Sequence, residues 1–305
     1  MTISCDLPRS GLTDAYYVAR TWIGLPISGL FRIHARGDQH LVHPAVGVVF
    51  PAGIEYRMTH PVEGGDTDVA LSFRGDVIEE ALPDRSERVQ VTRLDVRVRH
   101  AVGVLMAAMR QGDTGRVEDL ALAILREIAA NIAPSDPRAP TATLRKKIDR
   151  VRILLAECPD RAWTVESLAR IAGYSPYHFA HQFRAYTGTS VHRYLADMRL
   201  AAALRRIESG ESSLATVAAD LGFAHHSHLT ATLRRRLGIT PRALREQLRG
   251  GTPGLSEDLA DPVARVLRGR IGLAVGKLRG DQTAATAPGD QVVRTRASAR
   301  TAWRP

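Results

Sequence analysis

Between residue 8 and about residue 95 the apolar positions come in short runs, each stopped by a turn signal. Phe31-Arg32-Ile33-His34-Ala35 ends at Arg36-Gly37-Asp38, Leu41-Val42 follows, and Val46 to Phe50 stops at Pro51-Ala52-Gly53. Ile54 to Thr59 precedes His60-Pro61, and Gly64-Gly65 precedes Val69 to Phe73. Short strands at this spacing predict an antiparallel sandwich or a small barrel. From 96 to 133 the period becomes helical. Val98, Ala101, Val102, Leu105, Met106 and Met109 share one stripe, and Leu120, Ile124, Ile128 and Ile132 another, with a break from Gln111 to Gly115. This predicts a helical hairpin over 96–133 that caps the sheet, forms a dimer interface, or does both; the pattern does not choose.

Pro134, Pro137 and Pro140 cannot sit inside one helix, so 134–141 reads as a linker. Beyond it the pattern is helical to about residue 249. The stretch 251–305 is rich in Gly, Ala, Thr, Pro and Arg; Gly269, Gly272 and Gly276 weaken its one helical stretch, and few apolar residues follow Gly280. A basic, largely disordered tail is expected there. The fold class is α+β, with an antiparallel β domain and its hairpin in 1–133 and an all-α domain in 142–250.

Within the helical domain the chain repeats itself. Ala169 and Gly173 recur 49 positions later as Ala218 and Gly222. The offset then becomes 50, so that Phe179, Phe183, Gly188, Ser190 and Tyr194 recur as Leu229, Leu233, Gly238, Thr240 and Leu244. The second copy therefore has one extra residue in its turn. In each copy a short helix with a small alanine ends at a glycine suited to a left-handed conformation. In the first, Ser175 is a natural N-cap and Pro176 suits the first helical position, which needs no amide donor. Phe179 and Phe183, four apart, anchor the second helix. This is a helix-turn-helix written twice, joined by a long helix from about Ser190 to Ser209.

Anchoring one face turns another outward. In the first copy it carries Tyr177, Ala180, His181 and Arg184; in the second, Ser227, Thr230, Ala231 and Arg234, with His225 and His226 just before. Residues near the start of such a helix reach base edges in the major groove, and later ones reach phosphates. Tyr177, His181, His226, Ser227 and Thr230 are the expected base readers, and Arg184, Arg234 and Arg235 the expected phosphate contacts. The charge agrees. Residues 1–141 hold 15 basic against 18 acidic side chains, whereas 142–250 hold 18 against 9, within a net charge of +10. Positive charge concentrated in one module is the footprint of nucleic-acid binding.

No apolar run approaches the roughly 20 residues that span a bilayer, and Met1 to Ser10 lacks a signal-peptide core, so a cytoplasmic protein is expected. Cys5 and Cys158 form no ligand spacing.

The segment from Trp163 to Arg249 resembles the DNA-binding domain of the AraC/XylS family. The likeness rests on Trp163-Thr164-Val165-Glu166-Ser167-Leu168-Ala169, Gly173-Tyr174-Ser175, Phe179, Phe183, Thr187-Gly188 and Arg193-Tyr194-Leu195. It continues in Ala218, Gly222-Phe223, Ser227-His228-Leu229, Leu233 to Gly238 and Thr240-Pro241. Leucines 229, 233, 237 and 244 stand where that family usually has aromatics, Val191 where a proline is common, and Ala180 and Ala231 where polar readers are frequent. The resemblance implies promoter binding and transcriptional regulation, more often activation, with double-stranded DNA and RNA polymerase as partners. More weakly, residues from His40 to Phe73 resemble the cupin-like half of such regulators, which implies a small-molecule effector or a homodimer.

Tyr56, Arg57 and His60 are candidates for an effector pocket. His34, His40, His43 and His60 lack the close His-x-His pair of metal cupins, and His40 and His43, three apart on a strand, face opposite ways. No metal, cofactor or nucleophile-base arrangement is expected, hence no enzyme.

Overall fold

The structure is a computed structural model and describes residues 2–5, 11–62, 65–73, 77–82, 87–132, 141–210 and 213–249. The expected tail, 251–305, and the linker apart from Thr141 lie outside the described residues.

The first half contains β1 (Thr2–Cys5), β2 (Tyr16–Tyr17), β3 (Trp22–Gly29), β4 (Phe31–Ala35), β5 (Asp38–Val42), β6 (Val46–Phe50), β7 (Glu55–Thr59), β8 (Asp66–Ser72), the short helix α1 (Val77–Ala81) and β9 (Gln90–Arg93). They form two sheets, ordered β1-β8-β3-β6-β9 and β2-β7-β4-β5, with every pairing antiparallel. The expectation of an antiparallel sandwich holds. Arg36 and Gly37 make the two-residue β4–β5 turn, both at positive φ (47° and 85°), as a hairpin whose turn matches strand twist requires.

Burial follows position in the layers. β4 alternates, with Phe31, Ile33 and Ala35 buried between the sheets. β6 is buried at all five positions. Its Val46, Val48 and Phe50 face the four-stranded sheet, while Val49 joins a second core on the other side. That second core is roofed by α2 (Val96–Gln111) and α3 (Thr114–Asn131), whose Val98, Val102, Leu105, Leu120, Ile124 and Ile128 pack with Ile23, Leu25 and Leu71. Asp95 and Asp113 cap the two helices, and Gly112 (φ 71°) ends the first. The hairpin thus caps the sheet, one of its two expected roles.

The second half is α4 (Ala142–Glu157), α5 (Val165–Ala172), α6 (Pro176–Thr187), α7 (Val191–Glu208), α8 (Leu214–Asp220), α9 (His226–Leu237) and α10 (Pro241–Leu248). Thr141, Thr164, Ser175, Ser190, Ser213 and Thr240 each accept a hydrogen bond from the amide three residues on, satisfying amides that the first turn leaves without partners.

The two halves are joined by buried polar contacts that the sequence did not foreshadow. Arg99 of α2, 2% exposed, donates through Nη1 and Nη2 to the two carboxylate oxygens of Glu208 at 3.2 and 2.8 Å. Gly103 makes room, since a Cβ there would lie 2.1 Å from Glu208 Oε1. His100 donates to Gln247 Oε1 at 2.8 Å. Val96 of the same helix sits in the core formed by α7 to α10. The sandwich holds α4 and α7 in turn. Arg152 pairs with Asp149 at 2.8 Å and donates to the Tyr194 hydroxyl and the Leu41 carbonyl, each at 3.1 Å. His43 accepts from the Ala45 amide at Nδ1, and its Nε2 is bonded to the Tyr194 hydroxyl.

Candidate nucleic-acid interface

Two helix-turn-helix units hang on one beam. The first half of α7 places Val191, Tyr194, Leu195 and Met198 in a core with Leu168, Ala169, Phe179 and Phe183. Its second half places Leu200, Ala203, Leu204 and Ile207 in a core with Val217, Ala218, Leu229, Leu233 and Leu244. Of the four leucines that replace aromatics, Leu229 and Leu244 are buried at 0% and Leu233 at 1% exposure, while Leu237 is half-buried against the same core. At 18 residues and about 1.5 Å per residue, α7 is a continuous rod of about 27 Å.

The one-residue difference between the copies lies in the turn. Gly173 (φ 67°) is followed by Tyr174 and the cap Ser175, whereas Gly222 (φ 70°) is followed by Phe223, Ala224 and the cap His225. His225 has no hydroxyl, and its Nδ1 accepts from the His228 amide at 3.1 Å instead. His228 packs its ring edge-on to Phe223 at 5.6 Å.

Arg199 fixes one unit against the other. From α7 it donates to the carbonyls of Pro159 (2.6 Å) and Arg161 (3.1 Å), in the loop before the first unit. It also donates to the Gly222 carbonyl at 3.0 Å, inside the second turn. A side chain at position 222 would meet the Asp160 carbonyl at 2.6 Å and the Arg199 guanidinium at 2.7 Å. Burial lowers the pKa of Arg199, and the nearby Asp160 works against that. Sequence reasoning overlooked this residue; the repeat gave Gly222 but could not show what packs on it.

The predicted reading residues share the expected faces. On α6, Tyr177 stands 85% exposed, with His181 and Arg184 exposed and Ala180 half-buried beside it. On α9 and its cap, His225, His226, Ser227, Ala231, Arg234 and Arg235 are exposed and Thr230 is half-buried. Among the described residues no ion pair involves Arg184, Arg234 or Arg235. Arg236, the third of that run, is taken inward by Asp197 at 2.8 Å, which also binds Arg93 and Arg193.

The candidate effector triad fares differently. Tyr56 and Arg57 are neighbours on β7 and point to opposite faces. Tyr56 is buried against Phe50 and Tyr16, and burial raises its pKa. The Arg57 side chain lies at the surface and donates to the Thr13 carbonyl. His60 is buried against Asp66. Strand alternation therefore divides the three, and they do not line one pocket. Among the described residues no group of three or more His, Cys, Asp or Glu is placed to hold a metal, and no helix is long and apolar enough to cross a membrane.

This geometry, two capped helices projected from a shared rod with cations along their outer faces, defines a DNA-binding helix-turn-helix domain. The family described as "Helix-turn-helix domain" matches residues 168–247. An AraC-like transcription regulator of Streptomyces lividans is 28% identical over 220 residues, covering 68% of this chain and 72% of that protein. The RCS-specific HTH-type transcriptional activator RclR of Escherichia coli K12 is 34% identical over 110 residues, 36% of this chain and 39% of its own. The solved DNA-binding domain of AdpA, in complex with a target DNA, overlaps 35% of this chain and 98% of its own at 29% identity and a TM-score of 0.32. Residues 168–247 thus form a helix-turn-helix domain, and the relatives similar to the chain are named as AraC-like and HTH-type regulators of transcription.

Proposed function

We propose that this chain is a sequence-specific regulator of transcription that inserts α6 and α9 into successive major-groove turns on one side of the duplex. The observation that carries it is the Arg199-stapled frame, which presents two exposed reading faces at one fixed separation. Major-groove turns on one side recur about every 34 Å, and only a rigid connector lets two helices use that repeat without paying conformational entropy at binding. Tyr177 and His181 form a bulky reading set on α6; His226, Ser227, Thr230 and Ala231 form a smaller one on α9, with Ala180 and Ala231 suited to a thymine methyl. Arg184, Arg234 and Arg235 contact phosphates. His225 spends one ring nitrogen on the helix cap and contacts DNA through the rest of its exposed ring.

Activation follows the relatives named as activators, and RNA polymerase is the partner that role calls for. Binding rather than catalysis is the activity, in the cytoplasm. The sandwich half resembles cupin-like sensor domains and supplies effector sensing, dimerisation of two chains, or both.

Selection of bound sequences from a random DNA pool tests the core of this reading. It is expected to return two short motifs about one helical turn apart. Tyr177→Ala and His181→Ala should each relax preference in one motif only, by about 1–3 kcal/mol. Arg234→Ala should weaken binding to all sequences alike and reduce the salt slope by about one. Unchanged sequence preference in the Tyr177 and His181 variants overturns the assignment of α6.

A further inference from the structure

A cleft of about 330 Å³ opens where the hairpin meets the second helix-turn-helix unit. Its floor is apolar and comes from both hairpin helices: Val98 and Ala101 of α2, and Leu120, Ala123 and Ile124 of α3. Its rim is charged. Asp95, Arg97 and Glu127 stand on the hairpin side, and Arg235 and Arg236, from the last turn of α9, stand opposite.

The rim charges are not equally free. Arg236 is held by Asp197 at 2.8 Å. Asp95 accepts from the Arg97 amide at 2.9 Å as the cap of α2, and its other oxygen lies 3.9 Å from Arg236. That leaves the guanidinium groups of Arg97 and Arg235, both on exposed residues without an ion pair to another described residue, against the single carboxylate of Glu127. A net positive mouth over an apolar floor selects a ligand with an anionic head and an apolar body. The volume lies at the lower end of the range for small-molecule sites, and it is too small for a helix or strand from another chain.

We propose that this cleft is a binding site for a small amphipathic carboxylate, its apolar body on the floor and its carboxylate between Arg97 and Arg235. The site deepens the sensing part of the proposed function and replaces the Tyr56, Arg57 and His60 pocket. Because Arg235 also faces DNA phosphates in that reading, carboxylate and DNA draw on one side chain, and each lowers the other's affinity by the same factor.

The test uses the full chain without DNA, so that its failure and a failure of the DNA-binding reading remain distinct. Octanoate and cinnamate are titrated by calorimetry and by thermal melting, with octylamine and octanol as matched controls. At least one carboxylate is expected to bind with one-to-one stoichiometry and raise the Tm, and neither control to do so. Ala123→Phe, which fills the floor, should abolish binding. Arg97→Gln, an exposed rim change that leaves the fold intact, should weaken it about tenfold, as loss of a charge-assisted hydrogen bond does. The proposal is overturned if neither carboxylate binds, if octylamine or octanol binds as well, or if Arg97→Gln leaves affinity unchanged.

Discussion

A histidine takes the place of a serine at the start of α9. The His225 side chain offers one ring nitrogen to the His228 amide, where the first unit uses the Ser175 hydroxyl. His225→Ala should therefore cost about 1 kcal/mol, seen as a Tm lower by about 2–4 °C, whereas His225→Ser should leave stability unchanged. Equal melting of the two variants would show that the cap contributes nothing. Gly103 is the second telling residue. Alanine in a helix interior is ordinarily better than glycine by about 1 kcal/mol. Here the added methyl would force the Glu208 carboxylate to shift and loosen its two-pronged pairing with the buried Arg99, which outweighs that gain. Chemical denaturation of Gly103→Ala should show destabilisation despite the gain in helix propensity.

At the scale of elements, α7 serves two cores and Arg199 ties the loops at its flanks. Arg199→Met keeps the aliphatic stem and removes the donors. It should leave binding to an isolated half-site within about twofold but flatten the dependence on half-site spacing by about tenfold, or about 1.4 kcal/mol. Gel-shift titrations on spacing variants read both quantities, and a spacing profile identical to wild type would remove Arg199 from the frame. Much at this scale was legible in the sequence. The repeat, the glycine-terminated turns, the hydroxyl caps and the apolar quartet Phe179, Phe183, Leu229 and Leu233 are local patterns with local causes, and each sits as expected. The outward faces followed from the anchors by helical geometry alone. What local pattern could not carry was the use of hydrogen-bond donors over long sequence distances. Arg199 reaches loops about 40 and 23 positions away, and Arg99 finds Glu208 across 109 positions. Arg236 follows Arg234 and Arg235 in one run, and nothing in that run marks it as the partner of Asp197, 39 positions away. The Tyr56 pocket failed for a simpler reason, since adjacent strand residues cannot share a face.

At the scale of the whole molecule, the joint between sandwich and helical domain contains histidines whose burial disfavours the charged form. Burial lowers the pKa of His43, helped by Arg152 and Arg93. Burial also lowers that of His100, although Gln247 and Glu208 oppose it. A histidine whose folded pKa lies below its unfolded value of about 6.5 stabilises the fold above that pH, and the contribution is lost as pH falls from there towards the folded value. Stability should therefore fall as the pH drops below about 6.5, with His43 contributing to the slope. Asp68, whose carboxyl burial raises, acts in the opposite sense. The slope is therefore compared with that of His43→Gln, which lacks the His43 share and keeps that of Asp68. Parallel slopes would exclude His43 from the acid response. The position of Val96 bears on how such a chain can be recombined. Its side chain belongs to the core of the second helix-turn-helix unit, yet it lies well before the proline-rich stretch at which one sandwich half would be exchanged for another. A chimera spliced at that stretch leaves a valine-sized hole and an orphaned Glu208 behind. Sandwich halves exchanged between chains of this build must carry a matching α2, so that inheritance and engineering alike are constrained to move the helix together with the helix-turn-helix unit it supports.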